Sequence, residues 1–213
     1  MLRVDHVVCA VRDLDAAGER FSAEFGLASV PGGVHPRWGT GNRVIPFGTD
    51  YLELIAVVDP AAAAATTLGR TLIELTSAGD RWFALCLADD DIDATGARLG
   101  LEVDVGSRVR PDGRAVAWRG AGIEDPRRTT DLPFFIAWDV PAELHPGAGR
   151  LAHPSGASGI AWVEISGDPA AFGAWTDGAD LPVRFVRDEP VGVRAVGLAT
   201  PSGELVVRQP SSA

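Results

Sequence analysis

The chain has 213 residues, 46% hydrophobic and 23% charged, enough for one large domain or two small ones with a sizeable core. Its formal net charge of −10 provides no basic face to neutralise phosphates, which excludes a nucleic-acid partner. No lysine occurs, so Schiff-base and catalytic-lysine chemistry are excluded too. An all-arginine set of cations with abundant Ala and Gly is what a GC-rich bacterial genome produces.

The two cysteines, Cys9 and Cys86, sit inside apolar runs and read as buried thiols rather than a disulfide framework. The first residues enter a strand with no apolar signal core, and no segment is apolar over the ~20 residues a bilayer requires. The expectation is a cytoplasmic protein with no membrane partner.

In chain order, Val4 to Val11 reads as a strand. A helix follows with Asp13 as N-cap, Ala17, Phe21 and Phe25 at helical spacing, and Gly26 as its stop. Further strands are predicted at 28–30, 43–47 and 51–58, with a linking helix over 66–77. The same pattern then returns: strand 82–88, an Asp89–Asp93 cap, a helix ended by Gly100, and strands at 101–105, 115–119 and 133–139. Leu14-Asp15-Ala16 aligns with Ile92-Asp93-Ala94, and Leu54-Ile55-Ala56 with Phe135-Ile136-Ala137. A looser third copy has a strand at 160–166, a helix at 169–177, a strand at 181–186 and a hairpin of 191–199 with 204–209. The predicted divisions are 1–79 and 80–140 for the two βαβββ modules, 141–159 for a Pro/Gly/His loop, and 160–213 for a partial third module.

Such modules bury one sheet face under their own helix, and pairing two of them curves a mixed sheet around a cleft. The fold class is therefore α+β, with helices outside. Strand alternation places Val7, Cys9 and Val11 under the helix and His6, Val8 and Ala10 towards the cleft. In the closing strand Tyr51, Glu53 and Ile55 share the cleft phase. His6 and Glu53 thus face one concavity.

With these elements placed, the opening Val4-Asp5-His6-Val7-Val8 and Val11 to Ala17 resemble the first strand and helix of vicinal oxygen chelate proteins, of glyoxalase/bleomycin-resistance-like fold. The stretch 33–43, Tyr51-Leu52-Glu53-Leu54, 108–113 before Trp118-Arg119, and 133–136 before His145-Pro146 are similar to the narrower glyoxalase-like domain family. The resemblance covers roughly residues 1–155. It implies a divalent metal (zinc, nickel, manganese or iron) held by a His on the first strand and a Glu on the closing strand, matched here by His6 and Glu53. The metal would chelate neighbouring substrate oxygens as a Lewis acid. The second His/Glu pair of glyoxalase-type members falls on Ala84 and Phe134, which cannot ligate.

The candidate catalytic residues are Glu53, His6 and His35, with His35 a further candidate metal ligand. The candidate substrate-binding set is Trp38, Asn42, Tyr51, Trp118, Arg119 and Phe134. Each has a plainer reading: a His–Glu pair without metal, a turn held by Pro36 and Gly39, core tryptophans. Among Arg108, Arg110, Arg114 and Arg119, otherwise read as a solvated hairpin face, Arg119 is the one chosen to clamp an anion. His145 and His153, each before a proline, are expected to be exposed. No nucleophile elbow, phosphate loop or dinucleotide fingerprint is present. The function expected is small-molecule binding in the cleft by a metal-assisted lyase, isomerase or dioxygenase. The alternative is a non-catalytic sequestering protein with a degenerate metal site, and a homodimer is a further option.

Overall fold

The computed structural model describes residues 1–188 and 190–208. The first unit consists of β1 (Leu2–Ala10), α1 (Leu14–Phe25), β2 (Val30–His35), β3 (Thr40–Pro46) and β4 (Tyr51–Val57). Helices α2 (Pro60–Ala64) and α3 (Thr67–Thr76) lead to the second unit. This contains β5 (Arg81–Asp89), α4 (Ile92–Leu99), β6 (Val103–Val109), β7 (Ala115–Ala121) and β8 (Phe134–Trp138). The last unit is β9 (Ile160–Ser166), α5 (Pro169–Trp175), β10 (Val183–Val186), β11 (Gly192–Thr200) and β12 (Gly203–Arg208).

The helix ends follow the capping chemistry of the sequence. Asp13 accepts from the Ala16 amide, and Gly26 closes α1 in the left-handed region at φ 60°, where a Cβ would be strained. Asp91 and Gly100 repeat the arrangement around α4. Some strand limits differ from expectation. The stretch expected as a loop before residue 43 is mostly ladder, because a bulge between Pro31 and Gly33 lets β2 continue to His35 and pair with Thr40. Leu101 belongs to the end of α4, its amide bonded to the Gly96 carbonyl, so β6 starts later than predicted and runs to Val109. The expected end of the last strand at Gln209 lies outside the described residues.

The first eight strands close into a barrel in the order β1-β4-β3-β2-β6-β7-β8-β5. In each of the first two units the first strand runs parallel to the last, β1 with β4 and β5 with β8. β1 and β5 then pair antiparallel, with Val7 opposite Leu85, His6 opposite Cys86 and Val8 opposite Ala84. This register is a local twofold, and it makes Ala84 the counterpart of His6. Val8 pairs with Glu53 and Cys86 with Phe134, so Phe134 is the counterpart of Glu53. On the far side, β2 meets β6 through one residue pair, Val34 with Val109.

The third unit has the same succession of elements but a different sheet, ordered β10-β9-β11-β12, with β9 parallel to the strand directly after its helix. It neither completes the barrel nor enters it. Its Val163, Ile165, Val193, Val196 and Leu198 join one apolar core with Val7 and Cys9 of β1, Leu85 and Leu87 of β5, and Phe21 of α1. The sheet therefore covers the outer face of β1 and β5. The opposite strand phases, Val8, Ala10, Ala84, Cys86 and Ala88, belong to a second core inside the barrel with Trp38, Trp118 and Phe134. Across β6 and β7, Gly106 lies opposite Trp118, and a Cβ there would sit 2.4 Å from the indole; Gly197 and Trp162 repeat the pairing in the second sheet. No helix among the described residues is long and apolar enough to cross a membrane.

Because Ile165 is fully buried in the core shared by both sheets, Ile165→Ala should cost about 2–5 kcal/mol. Barrel and second sheet should unfold in one transition, read by tryptophan fluorescence and far-UV circular dichroism over a urea series; two separate transitions would show that the two sheets do not share a core.

Candidate functional site

The barrel encloses a cavity of about 250 Å³. That is just below the roughly 300–1,000 Å³ usual for ligand sites. Its walls are aromatic. Trp118 stands 6.3 Å from Trp38 and 5.5 Å from Trp138 between ring centroids. Phe134 and Tyr51 flank His6, which stacks on the tyrosine ring at 4.4 Å and meets the phenylalanine edge-on at 5.6 Å.

The polar centre is a chain of three side chains. His6 projects inward from β1, its Nε2 3.5 Å from Oε2 of Glu53 on β4 and its Nδ1 2.6 Å from Oδ1 of Asp5. Asn42 on β3 donates from Nδ2 to Glu53 Oε1 at 2.5 Å. Asp5 carries the most partners: its Oδ2 also accepts from Trp138 Nε1 at 2.9 Å and meets His145 Nε2 at 3.1 Å. These bonds outweigh the cost of burial and hold its carboxyl below the usual carboxylate range. An ionised Asp5 can only accept, so His6 donates to it from Nδ1 and turns its Nε2 towards Glu53. His145 accepts from the Gly147 amide at Nδ1, which leaves Nε2 as its donor.

Asp5 was missed by sequence reasoning because strict alternation assigns it to the helix side. The ladder steps from Val4–Leu87 to His6–Cys86, leaving Asp5 as the extra residue of a bulge, so its side chain turns in behind His6. His145 was also misjudged. A His-Pro step in a loop reads as exposed, whereas this ring is mostly buried against Tyr51, Trp138 and Asp5. His153 is buried as well, accepting from the Ala28 amide and bonded to the Pro46 carbonyl, which pins the loop between the two sheets.

Of the sequence-derived candidates, His6, His35, Trp38, Asn42, Tyr51, Glu53, Trp118 and Phe134 all line the cavity. Arg119 does not. It follows Trp118 on a strand, so with the indole inward the guanidinium points out, where it pairs with Asp93 and Asp139. The arginine that faces inward is Arg108 on β6. His35 is enclosed between Trp38 and Trp118, with Nδ1 3.0 Å from Thr40 Oγ1, and burial pushes its pKa down to about 4. Burial likewise raises the Tyr51 hydroxyl and the Cys86 thiol, so both stay protonated.

The donor set does not fit the divalent metal that the superfamily implies. His6 and Glu53 supply two ligands, and the twofold-related positions hold Ala84 and Phe134, short of the three protein ligands of a usual catalytic zinc site. His35 directs its Nδ1 to Thr40 instead. Among the described residues, Asp5, His6 and Cys86 do bring donor atoms within 4.8 Å of one another. Both Asp5 oxygens are already bonded, however, to His6, Trp138 and His145.

A barrel of two βαβββ units with a His–Glu centre on one side defines a glyoxalase-type protein of the vicinal oxygen chelate superfamily. The chain belongs to the glyoxalase-like domain family, whose profile matches residues 4–177. No curated protein matches it in sequence. Among solved structures it is similar to a hypothetical protein from Staphylococcus aureus, at 18% identity and a TM-score of 0.68, covering 97% of this chain and 84% of that one. It also matches methylmalonyl-CoA epimerase from Streptomyces coelicolor at 21% identity and a TM-score of 0.47, over 65% of this chain and 98% of that one. The epimerase from Mycobacterium tuberculosis matches at 19% and 0.45, over 64% and 86%.

Two predictions follow from the charge states. The folded pKa of Asp5 lies below its ordinary 3.8, so the stability it contributes is present above about pH 4 and lost as pH falls further. Asp5→Asn should therefore cost about 1–3 kcal/mol at pH 7, with the deficit shrinking in acid, as read from denaturant midpoints. The folded pKa of His35 is depressed from 6.5 to about 4, so its contribution is complete above pH 6.5 and is lost between 6.5 and 4. His35→Gln should flatten the stability profile in that window, and an unchanged slope would place the titration elsewhere.

Proposed function

We propose that the protein is an enzyme that shifts a proton on a small oxygen-bearing molecule held in the barrel, as an isomerase or lyase, using Glu53 and His6 without a metal held by the chain. The observation that carries this reading is the Asp5–His6–Glu53 chain, in which one imidazole is bonded to one carboxylate through Nδ1 and turns Nε2 to within 3.5 Å of the other. Asn42 fixes one oxygen of Glu53 and leaves the other between His6 and the cavity.

In the proposed step, Glu53 takes a proton from a carbon next to a carbonyl, whose oxygen gains the electron pair as an enolate. The protonated Tyr51 hydroxyl, which lines the cavity, donates to that oxygen. Glu53 then passes the proton to His6 Nε2, and the ionised Asp5 on the opposite nitrogen stabilises the imidazolium. Return of the proton to a neighbouring atom completes an isomerisation; departure of a leaving group instead gives a lyase. The aromatic walls exclude water from the enolate.

The replacement of the second His/Glu pair by Ala84 and Phe134 favours a second reading, a binding protein that holds its ligand unaltered. Deuterium incorporation from D₂O into a panel of small carbonyl compounds, followed by proton NMR, separates the two. The enzyme should accelerate exchange in at least one compound. Glu53→Gln should lower that rate by about 10²–10⁴-fold. His6→Ala should lower it less, and chelation should leave it unchanged. Tight binding without exchange would establish the sequestering reading, and loss of exchange on chelation would restore the metal.

A further inference from the structure

Strand β6 is built inside out. Val105 and Val109 are exposed, Val105 at 69%, while Asp104, Gly106 and Arg108 line the cavity. A strand that exposes valines and buries an arginine is poorly placed for stability alone. Arg108 is 4% exposed, makes no hydrogen bond or ion pair with any described residue, and has its Nε enclosed without a partner. The neighbouring carboxylate does not serve it, since the Glu53 oxygens are turned to Asn42 and His6. Leaving a buried cation unpaired costs several kcal/mol, so the arrangement persists only where something else supplies the counter-charge.

We propose that Arg108 is the recognition residue for a small monocarboxylate, pairing with the ligand's carboxylate while the rest of the ligand lies against Trp38, Trp118 and Trp138. The planar guanidinium fork matches a carboxylate with two parallel hydrogen bonds. One fixed cation calls for one negative charge. The more exposed lining groups Glu102, Asp104, Glu124 and Asp125 outnumber the cations there and leave the mouth acidic, with Arg37 paired to Asp104 and Glu124 and Arg127 to Asp125. That mouth repels phosphate-rich molecules and leaves the cation deep inside as the attractive point. Indole walls and a cavity of about 250 Å³ suit a flat aromatic body of modest size. The proposal deepens the proton-transfer reading, because a carboxylate held at Arg108 would fix the adjacent carbon in the same cavity as Glu53.

Calorimetric titration of the full chain with phenylacetate, its neutral isostere phenylacetamide and inorganic phosphate tests this directly. Phenylacetate should bind about 10–100-fold tighter than phenylacetamide, the range expected of a hydrogen bond to a charged group, and phosphate should not compete. Arg108→Met should erase the preference, and Arg108→Lys should keep part of it. Equal affinities, tighter binding of the amide, competition by phosphate, no binding of either aromatic probe, or a preference that survives Arg108→Met would each overturn the proposal. If the variants fail to fold, the wild-type ratio decides alone. The measurement needs no turnover: selective carboxylate binding without deuterium exchange defeats only the acid–base reading. Exchange on neutral carbonyl compounds with no carboxylate preference defeats only this one.

Discussion

The site depends on one carboxylate that never touches the cavity. Asp5 sits behind the wall and gathers the imidazole of His6, the indole of Trp138 and the imidazole of His145, and so ties together β1, β8 and the loop after β8. Three charge-assisted bonds to one buried anion fix three side chains at once. They determine which nitrogen of His6 donates to Asp5, the tilt of the Trp138 indole, and the seat of His145. Without this anchor His6 would be free to turn, and the Nε2 aimed at Glu53 would lose its direction.

Much of this architecture is legible in the sequence because it rests on periodicities. The duplicated unit, the caps at Asp13, Gly26, Asp91 and Gly100, and the inward phases carrying His6 and Glu53 follow from spacing and turn chemistry. The misreadings occur where a local rule is broken. A bulge adds one residue to β1 and rotates Asp5 away from its expected side. On β6 the polar and apolar phases are exchanged, so Arg108 reads as part of a solvated hairpin. The choice of Arg119 neglected an alternation already present in the sequence, since a strand cannot turn both Trp118 and its neighbour inward. His145 and His153 acquire their partners across long sequence separations, which no local pattern encodes.

The duplication keeps its register where β1 and β5 meet and is unequal in chemistry. His6 and Glu53 occupy one half, while the other offers Ala84, a small residue of the inner core, and Phe134, a ring that lines the cavity. The barrel thus has a reactive side and an inert side. The inert side provides space and an apolar surface, which suits a ligand whose functional groups lie at one end. None of the described residues of the third unit lines the cavity, but the unit shields the seam where the two halves meet. The axis that aligns both copies is thereby kept from water.

The close approach of Trp118 to Gly106 bears on what this scaffold could become. The indole lies where the side chain of any other residue would begin. The seat of the indole over β6 is thus set by a missing carbon rather than by the size of a group. Other positions around the hollow can be exchanged in small steps, trading one shape of guest for another. Here the first methyl evicts the ring, so this seat cannot be tuned gradually: it is kept or lost whole.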